Sequence, residues 1–119
     1  FFESLDSQIR SENHCGSGKS LLSIDARNQV FTCPLEVSHK ENMVGTGTYV
    51  KQEALDNLQN PLIELNKCGN CWARFVCGGG CLYNHKALTG DQHQKHPQYC
   101  VKTRSLLKTT ILYYKQCRK

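Results

Sequence analysis

The sequence is short of the side chains that build a large apolar core. Among 119 residues there are one Trp, one Met, four Phe and five Tyr. Mean hydropathy is −0.53. No run approaches the ~18 apolar residues of a membrane span, so no integral membrane domain is expected. The start, Phe1-Phe2-Glu3, lacks Met and any basic-then-apolar leader. The expectation is a segment of a longer protein or a processed chain, cytoplasmic in location. Internal repeats and low-complexity tracts are missing. So are a nucleophile–base pair, a phosphate-binding glycine loop and a dinucleotide fingerprint, which leaves no sign of an enzyme active site.

What the chain has is eight cysteines. Its length suits about one small domain, with a core too thin to explain folding alone. The formal charge is +5. Much of the excess lies at the end, in Lys102, Arg104, Lys108, Lys115, Arg118 and Lys119, with no acid after residue 101. Metal-bound thiolates would offset such a surplus, and the ligand loops lack interleaved basic and aromatic residues, so nucleic acid is not an expected partner.

Local patterns predict a small α+β fold. Residues 1–13 read as a short amphipathic helix, with Phe2, Leu5 and Ile9 on one face. Residues 21–24 and 29–32 read as two strands of an N-terminal β-hairpin. Asp25 to Asn28 form its turn, since Asn tolerates positive φ. Cys15 and Cys33 flank this hairpin, and antiparallel pairing is expected to bring them near each other. Residues 34–48 show no pattern, and 50–58 read as helix. Pro61 opens a short helix over Leu62 to Leu65. The cysteine-rich segment 68–81 contains Gly78-Gly79-Gly80, which argues against regular structure there. Tyr83 to Leu88 suit one or two helical turns, closed by Gly90. From Pro97 a long C-terminal helix is expected, with Cys100, Leu107, Ile111 and Tyr114 on one face.

The cysteines are spaced Cys15-x17-Cys33, then Cys68-x2-Cys71-x5-Cys77-x3-Cys81, then Cys100 and Cys117. A C-x2-C unit lets two thiolates reach one metal centre from a tight turn, and nearby cysteines complete that centre or serve a second. A secreted disulfide scaffold fits poorly, because C-x2-C pairs rarely close on themselves and no export signal is visible. Structural zinc and iron–sulfur clusters both remain. The glycine run favours the clusters, since backbone N–H groups can then approach cluster sulfur. Spacing alone leaves the two within reach of each other.

The pattern C-x12-N-x4-C, C-x2-C-x5-C-x3-C, gap, C resembles the SPASM domain. That domain is the C-terminal extension of radical S-adenosylmethionine enzymes that modify peptides and proteins. Asn28 stands where the family pattern has Gly, and Asn is the next residue to accept a positive φ. His14-Cys15-Gly16-Ser17-Gly18 and Cys71-Trp72-Ala73-Arg74-Phe75-Val76-Cys77-Gly78-Gly79-Gly80-Cys81 resemble the branch of quinohemoprotein amine dehydrogenase maturation and thioether-forming enzymes. The Pro97-x-Tyr99-Cys100 start of the last helix fits too. The likeness spans about residues 14–115. It divides the chain into an extension, 1–13, and an auxiliary cluster domain, 14–119. The radical enzyme's C-x3-C-x2-C motif and barrel are not in the sequence.

The resemblance implies a metal-stabilised domain with two [4Fe–4S] clusters. Cys15, Cys33 and Cys81 would hold the first, and Cys68, Cys71, Cys77 and Cys100 the second. It implies electron transfer and substrate positioning without turnover by the domain alone. The implied partners are the catalytic domain of the same longer protein and a peptide or protein substrate, with no membrane. Zinc is the alternative occupant, as a structural interaction module or by misloading. Cys117 lies 17 residues beyond Cys100, about 25 Å along a straight helix, and reads as a free thiol. The fourth position of the first cluster then falls to water, substrate or His14. His14 reads more simply as a neighbour of the ligands, His93 and His96 as solvated, and Arg74 as a counter-charge. Trp72 and Phe75 either shield a cluster or pack.

Overall fold

A computed structural model describes residues 2–118; Phe1 and Lys119 lie outside it. The chain forms two compact units, residues 15–61 and residues 1–14 with 62–119.

The unit over residues 15–61 is a four-stranded antiparallel sheet in sequence order, β1 (Ser23–Ile24), β2 (Gln29–Phe31), β3 (Gly45–Thr46) and β4 (Tyr49–Val50). The expected hairpin is its first half. Asp25 makes the turn by accepting at one carboxylate oxygen from the N–H groups of Arg27 (2.9 Å) and Gln29 (2.8 Å). Asn28 takes φ 64°, as its side chain allows. Val30 and Phe31 are buried from β2, and Val44 and Leu58 of the same unit are buried too. Full burial of Phe31 contributes roughly 2–3 kcal/mol. The second half corrects the sequence reading. Residues 34–48, expected to be irregular, hold two short 3₁₀ turns and β3, and β4 takes residue 50 from the expected helix. Gly45 is required in β3, because a Cβ there would lie 2.8 Å from the Val50 Cα across the ladder. What remains of that helix is α2 (Gln52–Asp56).

In the other unit, α1 covers only Phe2–Asp6, not the full stretch expected over 1–13. Gln8 adopts φ 54° and breaks the helix. The chain then bends without regular structure, with Ser11 N–H donating to Phe75 O at 2.8 Å and Ile63 N–H donating to Glu12 O at 3.2 Å. Asn13 Oδ1 accepts from the Leu62 N–H at 3.0 Å, which satisfies a free donor at the start of α3 (Leu62–Leu65). A single turn, α4 (Arg74–Cys77), and α5 (Leu82–Thr89) follow. Gly90 closes α5 at φ 84°.

The long helix α6 runs Pro97–Cys117, with the His96 ring accepting from the Gln98 N–H as its cap. Leu107 is buried, while Cys100, Ile111 and Tyr114 are half-buried, so the expected face is the inner one. The outer face leaves Leu106, Leu112 and Tyr113 at least 60% exposed. At its far end Phe2 stacks on Tyr114, and Asp6 receives both the Tyr114 hydroxyl and the Arg118 guanidinium. Among the described residues no helix is long and apolar enough to cross a membrane.

Candidate metal centre

Four cysteines line one cavity of about 300 Å³: Cys68, Cys71, Cys77 and Cys100. Each arrives by a different local device. Cys68 follows α3, its N–H held by Ile63 O at 2.8 Å, and its residue is buried. Cys71 closes the C-x2-C turn by donating its N–H to Cys68 O at 3.0 Å. Cys77 ends α4. Cys100 sits in the first turn of α6.

The turn after α4 is built for close approach. Gly78, Gly79 and Gly80 all hold positive φ, 67°, 87° and 82°. A Cβ on Gly79 would lie 2.7 Å from Leu62, and one on Gly80 would strike the His85 ring. Only glycine meets both demands.

The thiols feel one another. Burial pushes the Cys68 thiol up; the Lys95 ammonium pulls it down, and Cys71 and Cys100 push it up again. Burial likewise raises Cys77; a hydrogen bond from the Gly80 N–H opposes this, and Cys68, Cys100 and Cys71 add to the rise. Lys95 is anchored by donating to Lys67 O at 2.8 Å. Arg74 also lines the cavity. Its guanidinium donates to Gly69 O (3.0 Å) and Cys71 O (3.3 Å) and lies 4.6 Å from the Phe75 ring centre. The expected counter-charge is therefore also a clamp on the carbonyls of the C-x2-C turn. Phe75 lies between Arg10 and Arg74, and Trp72 is half exposed.

Cys81 belongs to the same unit but does not line the cavity. It stands at the N-cap of α5 without a side-chain capping bond, and its backbone N–H opposes the rise of the Tyr99 hydroxyl pKa. Burial raises Tyr99, and Cys77 and Cys81 push the same way. His14 is exposed, and its Nδ1–H donates to Cys77 O at 3.2 Å. Cys15 and Cys33 lie in the sheet unit, exposed and half-buried. The β1–β2 ladder ends at Ser23↔Phe31, before either cysteine, and Leu21 bridges to Ser17. The turn over 16–21 then doubles back, and the Ser17 hydroxyl donates to Thr32 O at 2.8 Å. Cys117 is exposed at the end of α6, beside Tyr113.

Sequence reasoning missed Asn66, His85, Lys95 and Tyr99. Asn66 and His85 are buried polar residues that no motif or spacing marks. Only Tyr99 carried a signal, its place beside Cys100.

Among the described residues no three His, Cys, Asp or Glu side chains gather tightly enough for one metal ion. Zinc at about 2.3 Å from each sulfur needs thiolates about 3.8 Å apart. A cubane offers a different iron to each thiolate and needs them spread around a cavity. The donor set, four soft thiols around one cavity with three cations (Arg74, Lys95 and Arg104) on its wall, fits the cluster. Comparison with family models, with curated proteins and with solved structures finds no match.

Proposed function

We propose that the chain is an auxiliary iron–sulfur module of a radical S-adenosylmethionine peptide maturase. In this reading Cys68, Cys71, Cys77 and Cys100 hold a [4Fe–4S] cluster. The observation that carries it is one cavity lined by all four of these thiols. A second cluster on Cys15, Cys33 and Cys81 rests on the sequence resemblance alone, as do the catalytic domain and the peptide substrate.

When bound, such a cluster supplies one-electron transfer. The chain's own residues do the rest. Arg74 and Lys95 offset negative charge on the cavity wall. Burial of Cys68 keeps water from that side. The module positions substrate and passes electrons, and it has no turnover of its own. The fold is metal-stabilised, because each unit buries few apolar side chains.

The test is anaerobic preparation with iron and sulfide. The expected product is brown, with a broad visible band that bleaches on dithionite and about eight irons per chain for two four-iron clusters. Verified metal removal should collapse the circular dichroism spectrum. A colourless protein holding zinc after anaerobic loading sinks the reading and leaves the zinc module.

A further inference from the structure

The peptide unit joining Gly79 to Gly80 is held on both sides. Its carbonyl accepts from Asn66 Nδ2 at 2.7 Å and from the His85 ring at 3.2 Å. Both donors are buried, at 2% and 1% exposure. Its N–H lies on the opposite side of the same rigid plane, Gly80 and Cys77 line the same cavity, and this N–H opposes the burial that raises the Cys77 thiol. We propose that Asn66 and His85 are positioning residues that aim the Gly80 N–H at Cys77 and thereby set the electron affinity of the centre that Cys77 holds. The inference rests on the cluster reading above.

A peptide plane between two glycines has little to fix its orientation, since neither residue has a Cβ to restrict rotation. Here a flip would turn the carbonyl toward the Cys77 sulfur and lose the N–H bond. Two buried donors on one carbonyl prevent it. They also polarise the amide, which strengthens its N–H as a donor. A carbonyl only accepts, so the His85 nitrogen beside it carries the proton. The other ring nitrogen, Nδ1, is buried and finds no partner among the described residues. This leaves the ring a single hydrogen-bonding task, the carbonyl of Gly79. Its place is fixed by the Tyr99 ring, edge-on with centroids 5.0 Å apart, and by the missing Cβ of Gly80. Tyr99 in turn precedes Cys100. An N–H bond to a ligating sulfur withdraws charge from it and raises the reduction potential of the cluster.

The experiment compares wild type, His85→Phe, His85→Gln and Asn66→Leu, loaded anaerobically with iron and sulfide. Phe keeps the ring against Tyr99 and loses the donor; Gln keeps a donor of similar reach. Dye-mediated titration read by electron paramagnetic resonance should show one centre moved to a more negative potential in His85→Phe and Asn66→Leu, at full iron content. His85→Gln should restore it toward wild type. Unchanged potentials in both donor-deleted variants overturn the proposal. A second readout is hydrogen exchange at the Gly80 amide in the chain as isolated. This amide should be protected in wild type and exchange faster in whichever of His85→Phe and Asn66→Leu folds. Rapid exchange in wild type, or equal protection in the variants, overturns the proposal as well. Failure of wild type to take up iron and sulfide sinks the cluster reading, while the amide exchange still decides the roles of Asn66 and His85.

Discussion

Lys95 spans the loop before α6 to donate to the carbonyl of Lys67, and that bond stations its ammonium beside the Cys68 thiol. The positive charge opposes the burial that raises this thiol. Lys95→Met should therefore push Cys68 further up. Metal binding needs the thiolate, so the pH midpoint of metal uptake should move to higher pH in the variant. Stopped-flow uptake measured across pH checks this. Identical midpoints for variant and wild type would show the ammonium to be a bystander.

Burial raises both Cys68 and Cys77, so any folded metal-free population binds these protons more tightly than the unfolded chain does. Stability from this source is complete below the unfolded thiol pKa and is lost as pH rises through the folded one. Bound metal reverses the sign, because thiolates replace thiols and protons leave. Denaturant midpoints of loaded protein, taken between about pH 7.5 and 9.5, around the ordinary thiol pKa, should therefore hold or rise with pH. A midpoint that falls over this range would mean that the buried thiols are not where metal binds.

Serine at Cys68, Cys71, Cys77 or Cys100 should cost the whole centre in the cavity, since each supplies one of four thiolates. On the two-cluster reading this is about half of the iron per chain. Cys117→Ser should leave iron and spectrum unchanged. The helix that brings Cys100 to the cavity carries Cys117 about 25 Å further along its axis. Iron lost from Cys117→Ser would require α6 to fold back on itself.

Gly79 and Gly90 make a matched pair for substitution. Both hold positive φ, 87° and 84°, but a Cβ on Gly79 meets Leu62 at 2.7 Å and one on Gly90 meets nothing within 4 Å. Alanine at Gly90 should cost about 1 kcal/mol from backbone strain alone. Alanine at Gly79 should cost roughly 2–4 kcal/mol, because the crowding adds to that strain. Chemical denaturation of both variants measures the difference; equal losses would show that Leu62 gives way freely.

The legible parts of the fold were those with a local cause. Pro97 and the recurrence of Cys100, Leu107, Ile111 and Tyr114 define α6 and its inner face. Asp25 and Asn28 define the hairpin turn through their own side chains. The strands β3 and β4 were hidden, because two-residue strands carry no period. Gly45 joins β3 because of what lies across the ladder from it, which is a tertiary fact. The helix expected over 1–13 stops at Asp6, because the chain beyond trades helical bonds for partners at Phe75 and Ile63. At the site, cysteine spacing named the thiols. It could not name Asn66, His85 or Lys95, whose roles depend on which carbonyls the fold brings to them.

Trp72 is the sole indole of the chain, half exposed on the segment between Cys71 and Cys77. All tryptophan emission of the chain therefore originates next in sequence to Cys71, one of the thiols that line the cavity. An iron–sulfur centre absorbs broadly and quenches nearby fluorophores, whereas zinc, with a filled d shell, has no such absorption. Fluorescence intensity consequently distinguishes the two occupants without added label. On the cluster reading, its quenching on mixing with iron and sulfide would time cluster assembly.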